Sequence, residues 1–131
     1  SQDYELKIRA ATIMNNALDL TKGLDNPKVI DRFKSGLVGV DSTDSQMTTK
    51  KGFLESKVAT TNPNFAAVFI DWFSTIGISS GISNIPDTIA VSMTGSFPGA
   101  NIAFLSACKA SNVYPVIISS NFKFIVLRFC K

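Results

Sequence analysis

The strongest constraint on the fold is a strand–helix–strand pattern in the second half of the chain. Two short β-prone runs, TIAVSM at 88–93 and YPVIIS at 114–119, flank a helical segment of small residues at Pro98–Ser111. Strands separated by a helix pair in parallel through a right-handed crossover. The pattern therefore predicts an α/β domain with at least one parallel pair of strands.

Further elements are predicted before and after this unit. An amphipathic helix spans residues 4–22, where apolar residues recur every three or four positions, and a shorter helix spans 27–36. The other predicted elements are a strand at 37–41, a long polar loop at 42–61, a helix from 62 to 76 and a last strand at 122–129. Together they predict a single three-layer α/β domain over residues 1–131, with a small, mostly parallel sheet preceded by N-terminal helices.

The helix that begins near Asn62-Pro63 carries a stripe of large apolar residues at i, i+4, i+7, i+8 and i+11. The stripe consists of Phe65, Phe69, Trp72, Phe73 and Ile76. This spacing is typical of one helical face, and we expect the stripe to belong to the core. The alternative is an aromatic face that binds a ligand.

The composition excludes several kinds of chemistry. The chain has no histidine, so it cannot assemble a Ser-His-Asp or Cys-His mechanism, and imidazole is absent as a zinc ligand or a pH switch. Its two cysteines, Cys108 and Cys130, form no CxxC motif, and Cys108 is expected to be a buried free thiol. The net charge of +3 is small and scattered, which argues against a nucleic-acid partner.

The candidate site is the loop between the strand at 88–93 and the helix at Pro98–Ser111. In open α/β sheets, ligands bind beyond the carboxyl ends of strands, where a helix start presents free N–H groups and a partial positive charge. The backbone near Gly95, Ser96, Gly99 and Ala100 can therefore approach an anion. The loop carries neither a Walker A motif nor GxGxxG, and no cofactor is indicated.

Three interpretations of this loop remain open. Ser96 is a plain N-cap in a tight turn, or the loop binds an anion, or Ser96 is a nucleophile with a lysine such as Lys57 as its base. The nucleophile-elbow pattern G-x-S-x-G is absent, because Thr94 stands in place of its first glycine. Whether the chain is an enzyme is left open.

Polar residues earlier in the chain are further candidates. Asp41 ends the predicted strand at 37–41 and would emerge at the same sheet edge as Ser96, where a carboxylate can bind Mg²⁺ or a hydroxyl group. Lysines and hydroxyls of the polar segment, including Lys57 and Thr60, can close over an anion at residues 95–100. The alternatives are a solvated carboxylate and an exposed polar loop.

Several motifs resemble those of the poly-γ-glutamate system proteins, accessory proteins of bacterial poly-γ-glutamate production. The matching pieces are GLVGVD at 36–41, GFLESKVATTNPNFAA at 52–67, TGSFPGANIA at 94–103 and YPVIISS at 114–120. They span most of the chain, and the most specific of them are TNPNFAA and GSFPG-x-N.

The resemblance implies an accessory role in a bacterial, membrane-associated assembly that makes or exports an anionic polymer. It also implies an N-terminal membrane segment, which this chain lacks, so the chain is expected to be a soluble piece of a longer anchored protein. The positions that match as ligand contacts are Thr94, Gly95, Ser96, Gly99, Asn101, Lys57 and Thr60. After Ser120 the sequence departs from the family pattern, and either a truncation or a different reading frame at this end would remove residues that complete a family site.

We therefore expect a non-catalytic accessory domain. Its partners would be an anionic small molecule or a poly-γ-glutamate end, together with other poly-γ-glutamate system proteins. One alternative is a hydrolase or nucleotide-dependent enzyme that uses Ser96 with a lysine. The other is a structural interaction module that forms a homo-oligomer through the apolar strand at 122–129.

Overall fold

Four helices and three strands make up the part of the protein that the structure, a computed structural model, describes: residues 2–22, 37, 53–78, 86–121 and 123–128. In chain order they are α1 (Gln2–Lys22), α2 (Leu54–Ala59), α3 (Phe65–Thr75), β1 (Thr88–Thr94), α4 (Pro98–Ser111), β2 (Tyr114–Asn121) and β3 (Lys123–Arg128).

The strands form one sheet with the order β1-β2-β3. β1 and β2 are parallel, with Thr88 opposite Tyr114 and Thr94 opposite Ser120, and α4 forms the crossover between them. β3 follows β2 after a single residue, which is too short for a crossover, and it pairs antiparallel to β2.

In β1 and in β2 as far as Ser119, one face of the sheet packs on the core and the other is exposed. In β1, Ile89 and Val91 are half-buried and Met93 is buried, whereas the residues between them are exposed. The period of two is that of a strand with one covered face. On the exposed face of β2 lie Val116 and Ile118.

α4 links the sheet to the other helices. It contacts β1 and β2, and it also packs against α1, α2 and α3. Its buried residues are small except for Phe104, and small side chains let neighbouring elements approach closely. The Phe104 ring makes edge-to-face contacts with Phe69 and Phe73 of α3, with centroids 5.5 and 5.9 Å apart. The buried residues of α1, which are Ala10, Met14 and Leu18, belong to the same core cluster.

The predicted α/β class is confirmed, including the small sheet with a parallel pair and the preceding N-terminal helix. The helix predicted at Pro98–Ser111 is α4, and the strands predicted at 88–93, 114–119 and 122–129 are β1, β2 and β3. The long polar loop predicted at 42–61 is wrong at its end, because residues 54–59 form α2. The helix predicted at 27–36 lies outside the described residues, as does the strand at 37–41 apart from Leu37, which forms a half-buried bend.

The predicted core stripe of α3 is partly wrong. Phe73 is buried, and Phe65 and Phe69 pack against the core, but Trp72 is 52% exposed and Ile76 is 63% exposed. The other buried residues of the helix are Ala66 and Ile70. Because α3 carries apolar residues around most of its circumference, their spacing alone cannot tell which side faces inward.

Candidate functional site

Asn101 closes the loop between β1 and α4. Its side-chain Nδ2 donates a hydrogen bond to the Thr94 carbonyl oxygen at 2.8 Å, and its backbone N–H donates to the Phe97 carbonyl oxygen at 3.1 Å. One residue in the first turn of α4 is thus tied to the last residue of β1. The side-chain bond therefore connects the two sides of the Gly95–Ser96 turn.

The start of α4 has no side-chain cap. The N-cap residue is Phe97, whose side chain has no hydrogen-bond acceptor, so the interpretation of Ser96 as a plain N-cap is wrong. Pro98 at the first helical position has no N–H. In the described part of the chain, the N–H groups of Gly99 and Ala100 have no hydrogen-bond acceptor. Two donors at the positive end of the helix dipole are therefore left for water or a ligand.

The end of α2 packs on the start of α4. A Cβ added at Gly99 would lie 2.7 Å from the carbonyl oxygen of Thr60 and 2.7 Å from its Oγ1. Thr60 is the C-cap residue of α2, and its hydroxyl donates to the Lys57 carbonyl oxygen at 2.7 Å. The structure thus brings the segment that contains Lys57 and Thr60 to the loop that was predicted as a site.

Exposure differs along the loop. Thr94 and Gly95 are exposed, Ser96 is half-buried, and Gly99 is buried beneath Thr60. A ligand of this loop must therefore approach from the side of Gly95 and Ser96. Lys57, one turn before Thr60, is half-buried and is the cation that α2 carries in its last turn.

Two arrangements that would support catalysis are missing from the described residues. No hydrogen bond there joins a lysine to Ser96 Oγ, and no group of three or more His, Cys, Asp or Glu side chains is placed to hold a metal ion. Asp41, the other predicted site residue, lies outside the described residues.

Cys108 is a buried free cysteine in α4, as predicted. Desolvation raises the pKa of its thiol from 9.0 to about 12, so the group stays protonated at neutral pH. Because the thiolate is the reactive form, Cys108 is a packing residue and not a nucleophile.

Two features of the site were missed in the sequence. Phe97 as N-cap could have been found, because proline favours the first helical position and Pro98 then places the cap one residue earlier. The contact between Thr60 and Gly99 joins residues far apart in the chain, and nothing local in the sequence signals it.

No family model, curated protein or solved structure matches this chain. In the segments that the structure describes, no helix has the length and apolar character needed to cross a membrane.

Proposed function

We propose that this chain is a non-catalytic accessory domain that binds a carboxylate at the β1–α4 loop. The observation that carries the proposal is the uncapped start of α4, where the Gly99 and Ala100 N–H groups have no acceptor among the described residues. Lys57 supports it as the cation carried by the segment whose end, Thr60, packs on Gly99. Backbone donors at a helix start together with an ammonium group suit a single anionic group.

The size and composition of the loop favour a carboxylate over a nucleotide. Only Gly95 and Ser96 lie between β1 and the N-cap residue Phe97, and Thr60 covers Gly99. A polyphosphate requires a longer cradle of backbone donors and a P-loop lysine, which this loop lacks. Glutamate or the end of a poly-γ-glutamate chain presents one carboxylate of the right size.

The motif resemblance provides the biological setting of the proposal. Five loop positions match the poly-γ-glutamate system pattern: Thr94, Gly95, Ser96, Gly99 and Asn101. In that setting the domain would act within a bacterial, membrane-associated assembly, beside other poly-γ-glutamate system proteins. Its task would be to hold the polymer or its monomer rather than to change it.

A structural interaction module is the second candidate. In the described part of the sheet, β3 pairs with β2 alone and occupies an edge. Edge strands offer backbone groups to a further strand, which supports self-association through the C-terminal strand. The test is to remove residues 122–131 and to measure the mass of both chains in solution. A structural interaction module predicts an oligomer only for the longer chain.

A thermal-shift series tests the binding proposal. The panel contains glutamate, oligo-γ-glutamate, phosphate and ATP with Mg²⁺, because a ligand that binds the native state raises Tm by mass action. We expect oligo-γ-glutamate and glutamate to raise Tm and phosphate and ATP to have less effect.

Matched variants locate the binding. Lys57→Gln removes the cation that α2 carries in its last turn, whereas Lys109→Gln removes an exposed lysine in the last turn of α4, at the end of that helix far from the loop. The proposal predicts that the Tm rise shrinks in Lys57→Gln and is unchanged in Lys109→Gln. An equal rise in both variants, or no rise with any compound, contradicts it.

A further inference from the structure

The outer edge of β1 carries a row of backbone groups that β2 does not use. The Tyr114 N–H donates to the Asp87 carbonyl oxygen at 2.7 Å, and Thr88 lies opposite Tyr114 in the parallel register. Alternate residues of a strand bond to the same neighbour, so the odd-numbered residues of β1 bond to β2. The N–H and C=O groups of Thr88, Ala90 and Ser92 therefore point away from β2, and no strand in the described part of the sheet pairs with them.

This row of backbone groups has a defined end on each side. Pro86 lies two residues before Thr88 and has no N–H to donate. At the other end, the Thr94 carbonyl oxygen already accepts a hydrogen bond from the Asn101 side chain at 2.8 Å. Between these ends β1 has no proline, charged residue or bulge, which are features that block the exposed edges of sheets.

The side chains along the row allow another strand to approach. Thr88, Ala90 and Ser92 are exposed, small and uncharged. Their N–H and C=O groups alternate along the edge in the way that an extended strand can satisfy. The backbone of β1 thus specifies an extended strand as the partner.

We propose that β1 pairs antiparallel with β1 of a second copy of this chain, about a twofold axis at Ala90. Ala90 then exchanges both backbone hydrogen bonds with Ala90 of the second copy, and Thr88 exchanges both with Ser92. The same register brings Pro86 opposite Thr94. The donor that Pro86 lacks would meet the one acceptor that Asn101 already occupies, and this match favours a second copy over an unrelated strand.

The proposed contact is isologous, so it closes as a dimer and joins the two sheets into one. No charged side chain lies on β1, so the two copies meet without repulsion between like charges along the strand. The contact is held by a short row of backbone hydrogen bonds, so we expect association to depend on concentration. This inference is independent of the proposed carboxylate site.

Sedimentation equilibrium with matched variants tests the pairing. Ala90→Pro removes the central donor from both copies, so the dissociation constant should rise at least about tenfold. The control Ala90→Thr keeps the N–H and adds a β-branched side chain, and it should leave the dimer intact. Proline is tolerated on an edge strand where its missing N–H faces away from the neighbouring strand.

A second variant covers the case in which Ala90→Pro does not fold. Thr88→Pro changes the first residue of β1, a position that suits proline, and it removes the bonds from Thr88 to Ser92 of the second copy. It should weaken the dimer in the same way. Circular dichroism of each variant shows that a loss of association is not a loss of fold.

Amide hydrogen exchange identifies the surface that is used. Exchange at Thr88, Ala90 and Ser92 should slow as the protein concentration rises, because these amides become bonded in the dimer. Exchange at Ile89 and Val91, whose amides bond to β2, should change less.

Three results overturn this proposal. A monomer at every concentration would leave the edge to a strand of another protein. A dimer that persists in a folded Ala90→Pro or Thr88→Pro variant would use another surface. Slow exchange at Thr88, Ala90 and Ser92 where the protein is still monomeric would mean that the chain itself covers the edge.

Discussion

The carbonyl oxygen of Thr60 lies directly on Gly99, where even a Cβ atom would stand only 2.7 Å away. The contact joins the C-terminal end of α2 to the N-terminal end of α4, so opposite ends of two helix dipoles meet. Gly99 is needed here for space, since its neighbour is a backbone atom that cannot rotate aside. The same contact brings the end of α2, the helix that carries Lys57, to the start of α4, where we propose a carboxylate site.

Gly99→Ala should destabilise the protein by about 1–3 kcal/mol, because the added methyl group overpacks this contact. Urea denaturation of the variant checks the value. Lys109→Ala, an exposed change on the same helix, should stay within about 0.5 kcal/mol of the unchanged protein. A Gly99→Ala variant as stable as this control would show that α2 does not rest on Gly99.

Substitutions at the left-handed residues that follow α3 and α4 should have different effects on the free energy of unfolding. Gly77 ends α3 with φ of 78°, and Ile78 N–H donates to the Phe73 carbonyl oxygen at 2.9 Å. Gly77→Ala should lower the free energy of unfolding by about 1 kcal/mol although nothing lies within 4 Å of the new Cβ, because the conformation disfavours a side chain.

Asn112 is the corresponding residue of α4, with φ of 53°. Asn112→Gly should be neutral or slightly stabilising, since glycine adopts this conformation without strain. Thermal denaturation of both variants compares them directly. A loss of stability in Asn112→Gly would point to a role for the asparagine side chain that its backbone conformation does not explain.

Cys108 should make stability fall at high pH. Burial raises the pKa of its thiol from 9.0 to about 12, so between these values the folded chain keeps a proton that the unfolded chain releases. The free energy of unfolding therefore decreases as pH rises from about 9 toward 12. Cys108→Ala should remove this part of the pH dependence, which urea denaturation at a series of pH values measures.

The same burial should protect the thiol from reagents. In a Cys130→Ser background, Cys108 should react slowly with a thiol reagent at neutral pH and quickly in denaturant, because little thiolate forms and access is closed. Fast labelling of the native protein would contradict the burial of this residue.

Asn101→Ala should cost about 1 kcal/mol, the net contribution of a typical hydrogen bond, by releasing the Thr94 carbonyl oxygen. If the loop is the binding site, Asn101→Ala should also bind glutamate more weakly. This loss of affinity should be larger than the small loss of stability can explain. Isothermal titration far below Tm separates the two effects. Asn101→Asp keeps the size of the side chain but not the N–H donor, and it should not restore binding.

Local patterns predicted most elements of the fold, and long-range packing decided the rest. α4 was predictable from end to end, because Pro98 marks its start and the strands on either side are β-prone. The inward face of α3 was not, because aromatic residues lie on several of its sides and only its neighbours α1 and α4 select the buried one.

The candidate site likewise has one part that the sequence predicts and another that depends on long-range packing. The β1–α4 loop follows from the strand-to-helix pattern and lies at the carboxyl end of β1, and the parallel pairing brings the carboxyl end of β2 to the same edge. The part played by Thr60 depends on where α2 packs, and the polar composition of residues 42–61 predicts a loop there and not a helix. Six residues give too few turns for a periodic signal to be read in the sequence.

The measurement that tests the central claim most directly is a titration of ¹⁵N-labelled protein with oligo-γ-glutamate, followed through backbone amide resonances. We predict that the largest changes occur at Gly95, Ser96, Gly99 and Ala100, with the Gly99 and Ala100 amide protons moving downfield as they bond to a carboxylate. Changes should be small at Asn112, at the other end of α4. Saturating polymer that leaves the loop amides unchanged, or changes that centre elsewhere, would contradict the account.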